Sequence, residues 1–241
     1  MAVRYAIYYA PDPASALWRF GSSVLGYDAR TGCDVPLLAP NGLSLAEWER
    51  ATTDPRRYGF HATLKAPFRL SLGMSEAALL DTAERIAAEL RPVDLGRCDV
   101  GVVPAGATAG FVAITPASSP EALAQLERTI VEGFEPLRAP LGLAERERRR
   151  PEQLTARQRH YLERYGYPYV LEEFAFHMTL SGLLDAPLPF AESLREQAGA
   201  NEVVEHVVVD RLEVFRQDAE EARFRVISTH QMTSPHVEDE G

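Results

Sequence analysis

The distribution of apolar and polar residues along the chain predicts a mixture of strands and helices. Short segments rich in β-branched and aromatic residues are typical of strands, whereas apolar residues three or four positions apart are typical of helices. The predicted strands cover residues 3–9, 59–70, 98–103, 110–115, 174–183, 207–216 and 223–229. The predicted helices cover residues 14–25, 43–50, 75–91, 120–137, 155–165 and 190–198.

The order of the predicted elements repeats once along the chain. A strand, a helix and two further strands follow Phe60, and the same order follows Phe176. Both units open with nearly the same residues, FHATL at 60–64 and FHMTL at 176–180. Because two such units commonly pack about a pseudo-two-fold axis, we expect an α+β fold with two antiparallel sheets around a central cleft and helices outside. The whole chain, 1–241, then forms a single bilobal domain, and residues 234–241 are expected to form a flexible tail.

Strand alternation gives each copy of the repeated motif one apolar and one polar face. Alternate residues from 60 to 68 are apolar and are expected to point into the core. The side chains expected on the polar faces are His61, Thr63 and Lys65 in the first strand and His177 and Thr179 in the second. The pattern therefore predicts one histidine–threonine pair from each lobe at the cleft.

Histidine and threonine in this arrangement suit proton transfer at a phosphorus atom. Imidazole titrates near pH 6.5, so one ring could act as a neutral base while the other acts as a protonated acid near neutral pH. Two histidines on opposite sides of a phosphorus atom could transfer the protons of an in-line displacement. Threonine hydroxyls could donate to the non-bridging oxygens. One His-x-Thr sequence occurs readily by chance, but two copies at equivalent points of a repeat indicate a function.

The paired motifs resemble those of the 2H phosphoesterase superfamily, whose signature is one His-x-Ser/Thr motif in each half of a duplicated fold. The longer strings GFHATLKAPFRL, YGYPYVLEEFAFHMTLSG and DRLEVFRQ are similar to a branch found beside phosphonate-utilisation genes. The resemblance spans most of the chain and implies a bilobal fold and metal-free chemistry on cyclic or 2′-linked phosphodiesters, with no cofactor. It implies catalytic roles for His61, Thr63, His177 and Thr179, of which the two threonines would bind the substrate.

Four further residues are candidates for contacts with a substrate. Lys65 lies on the predicted polar face and Arg57 shortly precedes the first motif, so either could neutralise phosphate charge. Tyr8 and Tyr58 lie in or beside strands expected to border the cleft, where a ring could stack on a base or a sugar. The charged run at 145–150 is typical of a solvated helix end or loop. The other histidines form neither HxH nor HExxH, so we expect no metal site.

Composition and charge favour a small phosphorylated substrate over nucleic acid, although they leave nucleic acid open. The chain has 241 residues, with 25 Lys and Arg against 35 Asp and Glu, giving a formal net charge of −10. This charge repels a polyanion, whereas a small anion needs only a few local cations. No signal-peptide pattern or long apolar run is present, and the isolated Cys33 and Cys98 suit a reducing compartment. We therefore expect a cytoplasmic protein without membrane contacts and assign no oligomeric state.

These observations predict hydrolysis of a small cyclic phosphodiester. The phosphonate-linked resemblance suggests a ribose 1,2-cyclic phosphate as one substrate. Two other hypotheses stay open at this point. One is an RNA 2′,3′-cyclic phosphodiesterase or a 2′,5′ RNA ligase, and the other is a non-catalytic sensor of a phosphorylated metabolite. Either histidine could serve as the acid.

Overall fold

Helices begin where side chains satisfy the free amides of a first helical turn. The computed structural model describes residues 3–105, 107–200 and 202–233, so the tail expected at 234–241 lies outside the described residues. Side-chain caps at Ser15, Ser44, Ser75 and Thr155 accept hydrogen bonds from the amides three residues later. The helices are α1 (Ala16–Leu25), α2 (Leu45–Ala51), α3 (Thr53–Arg56), α4 (Glu76–Glu89), α5 (Glu121–Gly133), α6 (Leu143–Arg148), α7 (Ala156–Tyr165) and α8 (Leu188–Gly199). All six predicted helices are confirmed within a few residues at their ends, whereas α3 and α6 were not predicted.

The strands form one large antiparallel sheet and two small ones. They are β1 (Arg4–Tyr9), β2 (Tyr27–Asp28), β3 (Cys33–Asp34), β4 (Ala62–Phe68), β5 (Val93–Gly96), β6 (Cys98–Pro104), β7 (Gly110–Pro116), β8 (Met178–Thr179), β9 (Val207–Val209), β10 (Arg211–Gln217) and β11 (Arg225–Gln231). The large sheet has the order β11-β10-β1-β4-β8-β7-β6, and β2–β3 and β5–β9 form separate pairs. Every neighbouring pair is antiparallel, which confirms the predicted α+β class.

A single residue pair joins the two halves of the large sheet. Ala62 of β4 lies opposite Met178 of β8, and no other pair links these two strands among the described residues. The strand predicted at 174–183 is therefore much shorter than expected. The amides of Leu180 and Ser181 both donate to the carbonyl oxygen of Val112, and this irregularity ends the regular pairing of β8 with β7.

Each of the two repeats contributes strands to both halves of the large sheet. The β6–β7 hairpin follows the first motif along the chain, yet it pairs with β8 of the second motif. The β10–β11 hairpin follows the second motif, yet it lies with β1 beside β4. The helices follow the same exchange, since α8 packs on β6 while α4 packs on β10 and β11. Each half of the sheet therefore combines elements of both repeats.

Helix α1 packs closely against the residue that precedes the first motif histidine. Phe60 is fully buried, and Gly21 of α1 lies directly over its ring. A Cβ atom at residue 21 would lie 2.3–2.4 Å from three atoms of that ring. Because glycine has no side chain, Gly21 allows α1 to pack closely against the start of β4.

Replacing Gly21 with alanine should destabilise the protein, because the added methyl group displaces the Phe60 ring. We expect Gly21→Ala to lower the free energy of unfolding by roughly 1–3 kcal/mol, the usual effect of overpacking a core. Gly199→Ala is a matched control, since Gly199 ends α8 in open space and alanine favours the helix by up to about 1 kcal/mol. Urea denaturation measures both. Equal stabilities of the two variants would contradict this packing.

Candidate active site

The Ala62–Met178 pair determines which side chains of the two motifs come together. Both side chains of the pair are fully buried and point into the core. Their sequence neighbours therefore point to the opposite face, because successive side chains alternate along a strand. Antiparallel register places each histidine beside the threonine of the other motif. The four side chains on this face are His61, Thr63, His177 and Thr179.

Both histidines are held by the same backbone contact. Nδ1 of His61 lies 2.8 Å from the carbonyl oxygen of Gly59, and Nδ1 of His177 lies 2.8 Å from that of Ala175. A carbonyl can only accept, so each Nδ1 carries the hydrogen and each neutral ring keeps a lone pair on Nε2. Nε2 of His61 lies 3.3 Å from Oγ1 of Thr63. Each ring is thus held in the tautomer that a general base requires.

The cleft beside the motifs has a volume of about 370 Å³. Its walls include His61, Thr63 and Thr179 together with the ring of Phe111. His177 is half-buried and contacts that wall through Phe111, whose ring centroid lies 5.5 Å from its own. The cleft is large enough for a small phosphorylated molecule and brings three of the four motif side chains directly to its surface.

Tyrosine rings line the cleft on the His61 side. The ring of Tyr8, which lies opposite Thr63 in the sheet, stacks on His61 with centroids 3.7 Å apart and an interplanar angle of 17°. The ring of Tyr58 stacks on Phe224 at 5.3 Å and lies 6.4 Å from His61. Tyr8 and Tyr58 both line the cleft, where the sequence predicted them. Their contact with a substrate stays a prediction.

Burial makes both imidazoles weak bases in the free protein. Loss of solvent lowers the pKa of His61 to about 4; the bond to Gly59 opposes this shift, and the nearby His177 adds to it. Burial also lowers the pKa of His177, against the bond to Ala175. Both rings are therefore neutral at pH 7. The expectation that one of them is protonated near neutral pH does not hold without a bound ligand.

Lys65 does not lie on the cleft. Two register shifts between β1 and β4 interrupt the alternation of side chains after Thr63. Lys65 is 3% exposed, and its ammonium group donates to the carbonyl oxygen of Val131 at 2.9 Å and to Oε2 of Glu135 at 3.0 Å. The prediction that Lys65 shares the polar face of His61 is therefore wrong, because a strand irregularity reverses the parity.

Arg57 also points away from the cleft. Its guanidinium donates to the carbonyl oxygen of Glu220 at 2.6 Å, and its own carbonyl accepts from the amide of Phe224 at 2.7 Å. The structure therefore places Arg57 outside the residues that line the cleft, and its contact with phosphate stays a prediction. These two hydrogen bonds connect the segment before the first motif to the turn between β10 and β11.

Two other arginines line the cleft at positions that the sequence did not predict. Arg4 begins β1 and Arg149 follows α6 directly, with Tyr167 beside it. No local pattern marks these positions, because they reach the motifs only through the tertiary fold. The charged run at 145–150 is otherwise solvated as predicted, since Arg146 and Arg148 pair with carboxylates at the surface.

The described residues offer neither a metal cage nor a membrane span. Within 3–105, 107–200 and 202–233, no three His, Cys, Asp or Glu side chains converge as metal ligands would. Cys33 is exposed and Cys98 is buried, and both are free thiols. No helix in the same ranges has the length and apolar character needed to cross a bilayer.

An α+β fold that pairs two His-x-Thr motifs on one face is the arrangement that the resemblance to 2H phosphoesterases implies. The chain belongs to the DUF1045 family, described as a protein of unknown function, whose model matches residues 63–225.

Two curated relatives share the name ribose 1,5-bisphosphate phosphokinase PhnN. The relative from Laribacter hongkongensis is 38% identical over 184 residues, which are 76% of this chain and 41% of the relative. The relative from Janthinobacterium sp. is 35% identical over 226 residues, which are 92% of this chain and 49% of the relative. The chain thus spans less than half the length of each relative.

Similar solved structures include TT0787 of Thermus thermophilus and Escherichia coli LigT complexed with 3′-AMP. The first has a TM-score of 0.45 and 14% identity, and the match covers 98% of this chain and all of the other. The second has a TM-score of 0.43 and 13% identity, covering 97% of this chain and all of the other. At these scores the likeness is distant and carries no conclusion about activity.

The low pKa of His61 should appear in the pH dependence of stability. An unfolded histidine titrates near 6.5 and folded His61 near 4, so the unfolded chain binds more protons between these values. The free energy of unfolding should therefore fall as pH drops from about 6.5 to about 4. His61→Asn, which cannot titrate, should show a weaker decrease in urea denaturation at matched pH values. An NMR titration that finds a pKa near 6.5 for His61 would contradict the burial described here.

Proposed function

We propose that this protein is a 2H-type phosphoesterase that hydrolyses a small cyclic phosphodiester without a metal ion or other cofactor. The observation that carries the proposal is the pairing of the two motifs across Ala62 and Met178. It presents two neutral imidazoles, each with Nδ1 bound to backbone and Nε2 available, beside two threonine hydroxyls. These groups can supply both proton transfers of a displacement at phosphorus.

In the proposed reaction, one imidazole takes a proton from water as the water oxygen attacks phosphorus. A P–O bond to water forms, and the P–O bond to one ring oxygen breaks on the opposite side. The second histidine, as imidazolium, protonates that leaving oxygen, so the product is a phosphate monoester beside a free hydroxyl. Thr63 and Thr179 donate hydrogen bonds to the non-bridging oxygens while their negative charge increases. The two rings then regain their starting states by proton exchange with water.

Substrate binding would itself supply the charged imidazole. Burial keeps both rings neutral in the free protein, and a phosphodiester carries one negative charge. An anion held next to His61 or His177 favours the protonated ring, because an opposite charge within a few ångström raises the pKa of a histidine. The acid would thus form when the phosphodiester enters the cleft. The site would then contain its catalytic acid only while a substrate is bound.

The family branch and the curated relatives guide the choice of substrate. The relatives are named for ribose 1,5-bisphosphate, and the sequence resembles a phosphonate-linked branch. The only lysine of this chain, Lys65, follows Leu64, so the Gly-Lys-Ser/Thr sequence of a phosphate-binding P-loop is absent. We infer that the kinase activity in the name of those relatives belongs to the part of each relative that lies outside the match. A ribose cyclic phosphate is then the substrate class that we favour for this chain.

Removal of either motif histidine should abolish most of the activity. We expect His61→Ala and His177→Ala each to lower kcat/KM for ribose 1,2-cyclic phosphate on the order of 10²- to 10⁴-fold, and the double variant to lose little more. EDTA should leave the wild-type rate unchanged. His160→Ala, at an exposed position of α7, is the matched control and should retain full activity. Full activity of a folded His177→Ala protein would rule out the two-histidine mechanism, and binding without turnover would indicate a sensor.

The pH profile should reflect the lowered pKa values of the free protein. The kcat/KM profile should be bell-shaped, with both limbs shifted to low pH because burial lowers the pKa of each imidazole, and the limbs belong to the coupled pair of histidines. The alkaline limb of kcat should lie higher, because the bound phosphodiester holds the proton on the acid. Thr63→Val and Thr179→Val should lower both parameters and keep the shape of the bell. A flat profile between pH 4 and 8 in wild type would exclude paired acid–base catalysis.

A further inference from the structure

Arg4 lines the cleft without a carboxylate partner in the described ranges. Its Nε donates to Oε1 of Gln217 at 2.7 Å, and its guanidinium lies 5.5 Å from the centroid of the Phe224 ring. Both contacts orient the guanidinium and leave its charge uncompensated. Its two terminal nitrogens stay available for a ligand, and a planar guanidinium is well suited to bind phosphate oxygens.

Arg149 has the same character and approaches the cleft from a different part of the chain. Its guanidinium lies 5.0 Å from the centroid of the Tyr167 ring, and it makes no ion pair among the residues that the structure describes. Two arginines of the preceding helix differ from it. Arg146 pairs with Glu163 and Arg148 pairs with Glu220, both outside the cleft. Within this charged run, Arg149 is the arginine that lines the cleft.

The two guanidiniums act on the same region of the cleft. Burial raises the pKa of Tyr8 well above its usual value, and the phenol groups of Tyr58 and Tyr167 raise it further. Arg4, Arg149 and Tyr8 all line this one cleft, and the two positive charges oppose that rise. Because its pKa is so high, this hydroxyl stays protonated and remains a hydrogen-bond donor.

The number of positive charges exceeds what one phosphodiester needs. A cyclic phosphodiester carries a single negative charge, and the motif threonines and imidazoles already provide its hydrogen bonds. Asp54 also lines the cleft but forms no ion pair with either arginine. Two uncompensated guanidiniums match the two negative charges of a phosphate monoester, whose oxygens can accept from several donors at once.

We propose that Arg4 and Arg149, together with the hydroxyls of Tyr8, Tyr58 and Tyr167, form a second anion subsite for a phosphate monoester that takes no part in the reaction. The inference rests on the proposed hydrolysis and narrows its substrate to a cyclic phosphodiester with a second, terminal phosphate. The subsite would position the sugar so that its cyclic phosphate lies at the two motifs. It would also select against sugars that lack the terminal phosphate.

A direct binding measurement tests the subsite without any turnover. Ribose 1-phosphate and ribose 1,5-bisphosphate differ only in the second phosphate, and calorimetry gives the Kd of each. We expect the bisphosphate to bind wild type at least about tenfold more tightly, and this advantage to disappear in Arg4→Met and Arg149→Met. Arg146→Met removes the same charge from α6 outside the cleft and should keep the advantage. Arg149→Lys should retain part of it, because the charge remains while the planar donor group is lost.

Kinetics on ribose 1,2-cyclic phosphate, with and without a 5-phosphate, separates this inference from the proposed function. The Arg4→Met and Arg149→Met variants should lose at least about tenfold in kcat/KM for the 5-phosphorylated substrate and less than about threefold for the other. Equal affinity for the two binding probes in wild type, or equal losses on both substrates, would overturn the subsite and leave hydrolysis intact. Turnover of neither substrate, with the tenfold binding difference retained, would overturn the hydrolysis and leave the subsite. Thermal melting of each variant confirms that it is folded.

Discussion

The antiparallel contact between Ala62 and Met178 is the point on which the rest of the site depends. Both side chains are small or flexible enough to be buried in the core, and their burial forces the polar neighbours of each strand onto the opposite face. One residue pair thus brings together two motifs that are more than a hundred positions apart in sequence. The pair also joins the two halves of the sheet, so the architecture and the active site share one contact. A shift of one residue in either strand here would turn the histidine and the threonine of that strand's motif into the core.

The histidines show how the environment alters the chemistry of a side chain. In water, an imidazole is partly protonated near neutral pH, but in this cleft the loss of solvent keeps both rings neutral. The backbone carbonyls that hold Nδ1 fix the tautomer and leave Nε2 unprotonated, as proton transfer requires. Charge therefore has to arrive with the ligand. The stacked ring of Tyr8 contributes to this by replacing water on one side of His61.

Local patterns in the sequence were sufficient for the six longest helices, for most strands of the large sheet, and for placing the four motif residues on one face. Helix caps such as Ser75 and Thr155 are local signals, and the alternation around His61 needs only the period of a strand. The same period failed at Lys65, because a bulge in β4 has no clear signal in one sequence. Arg4 and Arg149 could not be found, since each reaches the cleft only after distant strands and helices have packed. The pairing of each hairpin with the motif strand of the other repeat could not be predicted either, because the order of elements along the chain does not determine which strands pair.

The burial of Lys65 leaves the cleft without a lysine ammonium group. It is the single lysine of the chain, and its ammonium group is enclosed by Val131 and Glu135. Every other cationic side chain, apart from the histidines, is an arginine, and a guanidinium keeps its charge at any pH that the fold tolerates. The charge that the guanidinium groups bring to the cleft is therefore constant with pH, whereas the charge of the imidazoles changes with it. A reagent that modifies lysine side chains has no target among the residues that line the cleft, whereas one that modifies guanidinium groups has Arg4 and Arg149.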